Sequence, residues 1–584
     1  MKKTQFLLVL LSLFALSTGC TKKQNAQERV LHLSSTAEIK GYDPIMADDL
    51  YAGREVSKIY EGLLEYHWLK VPYELQANLA ESLPEVSADG LTYTFKIRKN
   101  VFFQDDAAFA NGKGRELEAS DFVYSIKRLA DSKNAATGWW ILDGKVKGLN
   151  EWRDKNAKLD QTNYDEEVEG LKAIDKYTLQ ITLAKKFPQF LYSLAMPFTY
   201  AVAKEVVAKY GKEFINHPVG TGAYVLPKFD QGKQITYTKN PTFREKLYPS
   251  DASPSLQHLL KDAGKKLPLV DKVVVHVMKE DQPRWLKFNK GELDFIGVPK
   301  DNFASNIKDN KLTPELVTKG VNLEITPSLD VTYIAFNFEN KLFHNKKLRQ
   351  AMSLAFDQNK SNELFYNNTA FPAQSIIAPG VRGNDPQYKN PNRGPNVEAA
   401  KKLLAEAGYP NGAGLPEIKY DIPDSTTSRQ GAEFFQKQME QIGVKIKIVA
   451  TPWPEFNAKV KQRKVEMFGL AWLADYPDAE NFLQLFYGPN KSPGANGSNY
   501  DDPSFNKEFE KAVVLQESPE RTAMYEALNK RLAEDSVAIY GLHRQSYLII
   551  QGWLENYHSS DFNHDYVQYL NINNEKKAEL LKKF

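Results

Sequence analysis

Residues 472–478 group two carboxylates with two aromatic side chains. Trp472 lies near the end of a nearly continuous apolar run, and Asp475, Tyr476 and Asp478 follow that run. A carboxylate in a dry cleft forms a charge-assisted hydrogen bond to a cation, and Trp and Tyr rings provide rigid walls for a small ligand. These residue types are suited to the wall of a ligand cleft.

Residues for catalysis or metal binding form no recognisable pattern. Gly-x-Ser-x-Gly and His-Glu-x-x-His are absent from the sequence, and the nine histidines lack metal-ligand spacing. Cys20 is the only cysteine, which excludes an intramolecular disulfide, a thiolate metal cluster and a Cys-based redox pair. We therefore expect no catalytic residue, no metal site and no cofactor. A lipid-anchored hydrolase of cell-wall peptides stays open as an alternative.

The elements that position residues 472–478 are clearest between residues 390 and 490. Asn396 is expected to cap a helix that stops at Gly408. Periodicity then predicts a strand at 418–422, a helix at 432–442, a strand at 444–448, a helix at 453–461 and a buried strand at 467–473. This order indicates a parallel sheet. Ligands bind beyond the carboxyl ends of such strands, which is where Asp475 should lie.

The N-terminus has the pattern of an export signal. Lys2 and Lys3 precede an apolar run, residues 6–16, that is too short to cross a bilayer comfortably. Cys20 follows small residues, as in the bacterial lipoprotein signal, although Ser17 replaces the usual Leu three residues before the cysteine. We expect lipid attachment at Cys20, which anchors the protein to a membrane. A plain secretory signal with an incidental cysteine stays open.

Chain length and net charge give further expectations about domain number and nucleic-acid binding. A chain of 584 residues predicts two or more domains. The formal net charge of +3 falls to +1 when Lys2 and Lys3 leave with the signal, and no concentrated basic face for nucleic acid is present. Aromatic residues make up 12% of the chain, a content suited to lining a cleft, although most must fill the core. We expect a monomer that does not bind nucleic acid.

Several segments together resemble the large solute-binding proteins of peptide-type ABC importers. This is the oligopeptide- and dipeptide-binding family, extracellular solute-binding protein family 5. The strongest match covers residues 79–98 and continues through 119–125, although residues 103–106 (Phe-Gln-Asp-Asp) replace the family's usual Phe-His-Asp-Gly. Further matches, in the correct order, are residues 218–224, Asn337, 348–351, 399–409 and 472–478.

The resemblance implies an α/β, two-lobed periplasmic-binding-protein fold of the hinged class II type, with an additional subdomain inserted in the first lobe. The implied division is a signal peptide at 1–19, a tether at 20–28, first-lobe segments at 29–64, 216–324 and 541–584, the inserted subdomain at 65–215 and the second lobe at 325–540. The lobes would close on a ligand in the periplasm or cell envelope. They would deliver it to an ABC permease complex in the inner membrane. A sensor of the same fold that is not coupled to import stays open.

The resemblance also assigns roles to single residues. In peptide-binding relatives, the aspartate that matches Asp475 pairs with the α-ammonium group of the ligand, whereas Asp478 is better placed to cap the following helix. The other predicted ligand contacts are Trp472, Tyr476, Trp453, Asn337, Phe338 and Tyr224. Core packing is the alternative role for the aromatic residues, and hinge packing is the alternative for Asn337 and Phe338.

Gly469 departs from the family pattern. Oligopeptide-binding relatives carry an arginine six residues before the aspartate, where it helps to bind a peptide carboxylate. Because Gly469 stands at that position, amine recognition carries over better than carboxylate recognition. A peptide of another length, a cell-wall peptide and a different amine all stay open as the ligand.

Overall fold

The computed structural model of the chain describes residues 27–71, 73–230 and 233–584. The predicted export signal, Cys20 and most of the predicted tether lie outside these residues. In the described part of the chain, no helix is both long and apolar enough to cross a membrane.

A five-stranded sheet carries residues 472–478 at the end of its middle strand. In order across the sheet, its strands are Ile446–Thr451, Ile418–Pro423, Met467–Leu473, Asp330–Phe336 and Ala538–Tyr540. The first three strands run parallel, which confirms the predicted parallel arrangement. The last two pair antiparallel, so the complete sheet is mixed.

Helices alternate with these strands or follow them along the chain. They are Lys346–Ala355, Gln358–Tyr366, Val397–Glu406, Thr426–Glu440, Trp453–Lys461, Glu480–Leu483, Pro503–Val513 and Pro519–Glu534. The helix predicted over 432–442 begins earlier because the Ser425 side chain caps it, accepting a hydrogen bond from the backbone N–H of Ser428. Gly408 follows the helix that Asn396 caps and has a φ of +96°, which only glycine adopts without steric cost.

The other lobe is built on a four-stranded sheet with an inserted subdomain. The strands are, in order, Val30–Ser35, Lys272–Val277, Gln234–Lys239 and Tyr224–Asp230. The subdomain contains a separate antiparallel sheet of Glu85–Val86, Thr92–Lys96, Thr178–Thr182 and Leu171–Asp175. Helices of this half are Leu50–Val56, Ala119–Ala130, Leu149–Asn156, Phe190–Ser193, Lys204–Tyr210, Asp281–Asn289, Lys300–Asn306, Pro314–Thr318 and Asn574–Leu580.

Two neighbouring strands connect the lobes. Asn322–Pro327 leads into the five-stranded sheet, Gln545–Ile550 returns from it, and the two pair antiparallel. Adjacent extended connections of this kind let two packed bodies rotate relative to each other. The architecture is therefore α/β and two-lobed, as the sequence predicted.

Candidate ligand-binding cleft

A cavity of about 820 Å³ lies between the lobes. Its walls include Asp48 and Asp49 from the four-stranded half, Trp140 and Phe198 from the inserted subdomain, and residues 469–475 from the five-stranded sheet. This volume lies in the range typical of small-molecule sites. The cavity lies beyond the carboxyl end of the strand Met467–Leu473, where the parallel arrangement predicted a ligand site.

One edge of the strand Met467–Leu473 is open where it lines the cavity. Along one side, this strand pairs with Asp330–Phe336 over its whole length. On the other side, it pairs with Ile418–Pro423 only at Met467 and Phe468. Backbone groups beyond Phe468 on that side are therefore available to an extended ligand.

Asp475 lies in the cavity wall and is held by Asn481. Asn481 Nδ2 donates a hydrogen bond of 2.9 Å to Asp475 Oδ2, and Asn481 Oδ1 accepts one of 2.9 Å from the Asp475 backbone N–H. Within the described residues, no Lys or Arg nitrogen lies within 4.0 Å of the carboxylate. Burial raises the pKa of Asp475 to about 7, against a smaller lowering by the Asn481 hydrogen bond. The carboxylate is thus oriented but has no direct cationic partner.

Trp472 and Trp453, two of the predicted ligand contacts, also line the cavity. The indole N–H of Trp472 donates to Asn481 Oδ1 at 3.0 Å, so a single buried amide orients both Trp472 and Asp475. The indole N–H of Trp453 donates to Asp49 Oδ2 at 2.8 Å and connects the two lobes. Both rings are half-buried and leave surface for a ligand.

Tyr476 does not line the cavity, which corrects the prediction that it forms a ligand wall. Its ring is buried and stacks on Tyr192 at 5.4 Å, and its hydroxyl donates to Glu480. Asp478 accepts a hydrogen bond from the Glu480 backbone N–H at 2.9 Å and pairs with Arg521, but the N-cap residue of the helix Glu480–Leu483 is Ala479 and not Asp478 as predicted. Successive side chains after the strand point in different directions, so only some of them reach the cavity.

Asn337, Phe338 and Tyr224 are likewise absent from the cavity wall. Asn337 Nδ2 donates to the carbonyl of Val465 at 2.8 Å, so this side chain fastens a buried turn. The Phe338 ring packs against Tyr500 at 5.1 Å. Tyr224 begins the strand Tyr224–Asp230 and is fully buried. The three predicted ligand contacts are packing residues in this structure, because buried backbone and apolar surface occupy their surroundings.

The chain matches a family model along most of its length. The model is "Bacterial extracellular solute-binding proteins, family 5 Middle", and it matches residues 74–494. The chain belongs to this family. It is therefore a solute-binding protein of the kind that serves ABC importers, and the predicted periplasmic-binding-protein fold is confirmed.

Relatives of this solute-binding protein bind different ligands. It is 25% identical to "Heme-binding protein A" of Haemophilus influenzae, over 94% of this chain and 93% of that one. It is 26% identical to the "Dipeptide-binding protein" of Escherichia coli, over 93% and 94%. The structure of the periplasmic binding protein DppA from Helicobacter pylori in complex with the peptide STSA matches with a TM-score of 0.76 and 22% identity, over 93% and 98%. The family gives the fold and the broad role, and the ligand must be argued from the cleft.

Sequence reasoning missed three residues that shape the cleft of this solute-binding protein. Asn481 orients the predicted aspartate and tryptophan, while Asp48 and Asp49 face them from the opposite lobe. Asn481 lies close to Asp475 in sequence and could have been considered as its hydrogen-bond partner. Asp48 and Asp49 lie more than 400 residues away from Trp453 along the chain, and no local pattern connects them.

Proposed function

We propose that this solute-binding protein captures a short peptide through its free amino group and delivers it to an ABC permease complex in the inner membrane. The observation that carries the proposal is the oriented carboxylate of Asp475, which lines the cavity without a cation within 4.0 Å among the described residues. An ammonium group at this position forms a charge-assisted hydrogen bond worth about 1.5–3 kcal/mol.

The open edge of the strand Met467–Leu473 supports a peptide as the ligand. Backbone groups from Gly469 onward line the cavity and are not paired with the neighbouring parallel strand. An extended peptide can add to such an edge through its own backbone, with side chains in alternate pockets. A compact amine without peptide bonds would leave these backbone groups without hydrogen-bond partners from the ligand.

Side-chain contacts that cross the cleft support closure of the lobes on the ligand. Trp453 reaches Asp49, Thr426 Oγ1 donates to Glu280 at 2.8 Å, and Gln189 donates to Asp478 at 3.3 Å. A ligand favours the closed form when it contacts both lobes there. We place the lobe boundaries near residues 325 and 540, with the inserted subdomain at 65–215, since these limits separate the two main sheets.

The test compares peptides with free and N-acetylated amino termini by isothermal titration calorimetry. Wild-type protein should bind the free peptide at least about tenfold more tightly, because acetylation removes the charge that Asp475 pairs with. Asp475→Asn should abolish this difference. Asp424→Asn is the matched control, since Asp424 also lines the cavity but already pairs with Arg429 at 2.8 Å. Equal affinity for both peptides in wild type contradicts the proposal.

The proposed location is the periplasm or cell envelope, with anchoring by lipid at Cys20. The protein acts as a monomeric binding protein and not as an enzyme, in keeping with its relatives, which are solute-binding proteins. A hydrolase of cell-wall peptides would convert the bound peptide into fragments during the titration, which mass spectrometry of the recovered ligand detects.

A further inference from the structure

The end of the cleft that contains Asp475 has three carboxylates close to one lysine. Asp48 and Asp49 come from one lobe, and Asp475 and Lys461 come from the other. Burial lowers the pKa of Lys461, and the negative charges of Asp48, Asp475 and Asp49 act in the opposite direction. Lys40 is the other cation that acts on Lys461, and its side chain is exposed. The cluster therefore carries more negative than positive charge inside the cavity.

Asp48 is the least satisfied member of this cluster. Its side chain is 6% exposed, and Oδ2 has no hydrogen-bond partner among the described residues. From the residues that the structure describes, Oδ1 accepts one long hydrogen bond of 3.5 Å, donated by Asn457. The Lys461 ammonium lies 3.9 Å from Oδ2 and donates instead to the carbonyl of Gly494 at 3.2 Å. A buried carboxylate oxygen without a donor is costly, so a donor supplied by the ligand stabilises it.

The other cations that line the cavity do not compensate for this charge. Lys279 pairs with Glu38 at 3.0 Å, and Arg544 pairs with Asp330. When the α-amine of a ligand pairs with Asp475, Asp48 still faces the cavity, with the Lys461 ammonium 3.9 Å from Oδ2 and no hydrogen-bond donor to that oxygen among the described residues.

We propose that Asp48 selects ligands whose amino-terminal residue carries a second cationic group on its side chain. Lysine, arginine and other diamino acids belong to this class. The α-ammonium group pairs with Asp475 of one lobe, and the side-chain cation donates to Asp48 Oδ2 of the other, so a single residue connects both lobes in the closed form. The Trp453 ring, fixed by its hydrogen bond to Asp49, provides an aromatic face for the same cation. This inference rests on the proposed function.

The experiment uses peptides of two to five residues that are identical except for lysine or norleucine at the first position. Both versions keep a free amino terminus, and norleucine matches the lysine stem without its charge. Wild-type protein should bind the lysine peptide about tenfold more tightly. Asp48→Asn should remove this preference, so that lysine and norleucine peptides bind with similar affinity, because the amide keeps the shape of the side chain but not its charge. Asp424→Asn is the control, and it should retain the wild-type preference.

Equal affinities for lysine and norleucine peptides in wild type overturn the inference and leave the amine-anchor proposal standing. A preference that persists in Asp48→Asn also overturns it. If wild type binds none of these peptides, the proposed peptide function fails together with the inference. Circular dichroism and thermal unfolding of Asp48→Asn establish that any change arises in the folded protein.

Discussion

Ligand affinity should fall steeply as the pH is lowered through 7. Burial raises the pKa of Asp475 to about 7. An ammonium group pairs with the ionised carboxylate, so protonation of Asp475 competes with binding. Below pH 7 the protonated form dominates, and each ligand that binds must displace a proton.

The size of this effect follows from the two titrations. With a pKa of about 7, roughly three-quarters of Asp475 is ionised at pH 7.5 and about 3% at pH 5.5. A peptide α-amine with a pKa of about 8 is mostly charged at both values. The affinity for a free-amine peptide should therefore drop roughly 20-fold between pH 7.5 and 5.5, which corresponds to about 2 kcal/mol.

Calorimetric titration at both pH values measures this dependence directly. Glu480 is also buried with a raised pKa and lies close to Asp475, so Asp475→Asn is needed to separate the two groups. The variant should bind weakly and with little pH dependence, because an amide does not titrate in this range. A change of less than about threefold in wild type, or an undiminished pH dependence in Asp475→Asn, would refute the reasoning.

Two further predictions concern the stability of the structure around the cleft. Arg521→Met should lower the free energy of unfolding by about 3 kcal/mol, because Asp478 would remain as a partly buried charge without its 2.9 Å partner; an unchanged melting temperature would argue against this pair. Gly469→Ala should cost about 1–3 kcal/mol, since the new Cβ would lie 2.6 Å from the hydroxyl of the buried Tyr420. Tyr420→Phe in the same chain should recover part of that loss in thermal unfolding, and no recovery would contradict the assigned clash.

Individual strands and helices were predictable because short sequence patterns mark them. The strand Met467–Leu473 and the helix Trp453–Lys461 have the predicted bounds, since an apolar run and helical periodicity mark them directly. The antiparallel strands Asp330–Phe336 and Ala538–Tyr540 were not predicted in this sheet. Pairing between strands that lie more than 100 residues apart leaves no local pattern, so it depends on the assembled fold.

The candidate site likewise contains residues that the sequence predicted and residues that it did not. Trp472 near the end of the strand Met467–Leu473 and Asp475 just after it line the cavity, because the carboxyl end of a parallel strand faces the ligand crevice. Tyr476 directly follows Asp475 in the sequence, but its side chain is buried in the core. Asp48 belongs to the opposite lobe, and only the folded chain brings its carboxylate to the cleft.

Native mass spectrometry of the mature protein, followed by denaturation and identification of the released small molecule, tests the central claim most directly. The account predicts short peptides with free amino termini. Release of a single compound that contains no amine would contradict the assignment of Asp475 as the anchor of the ligand.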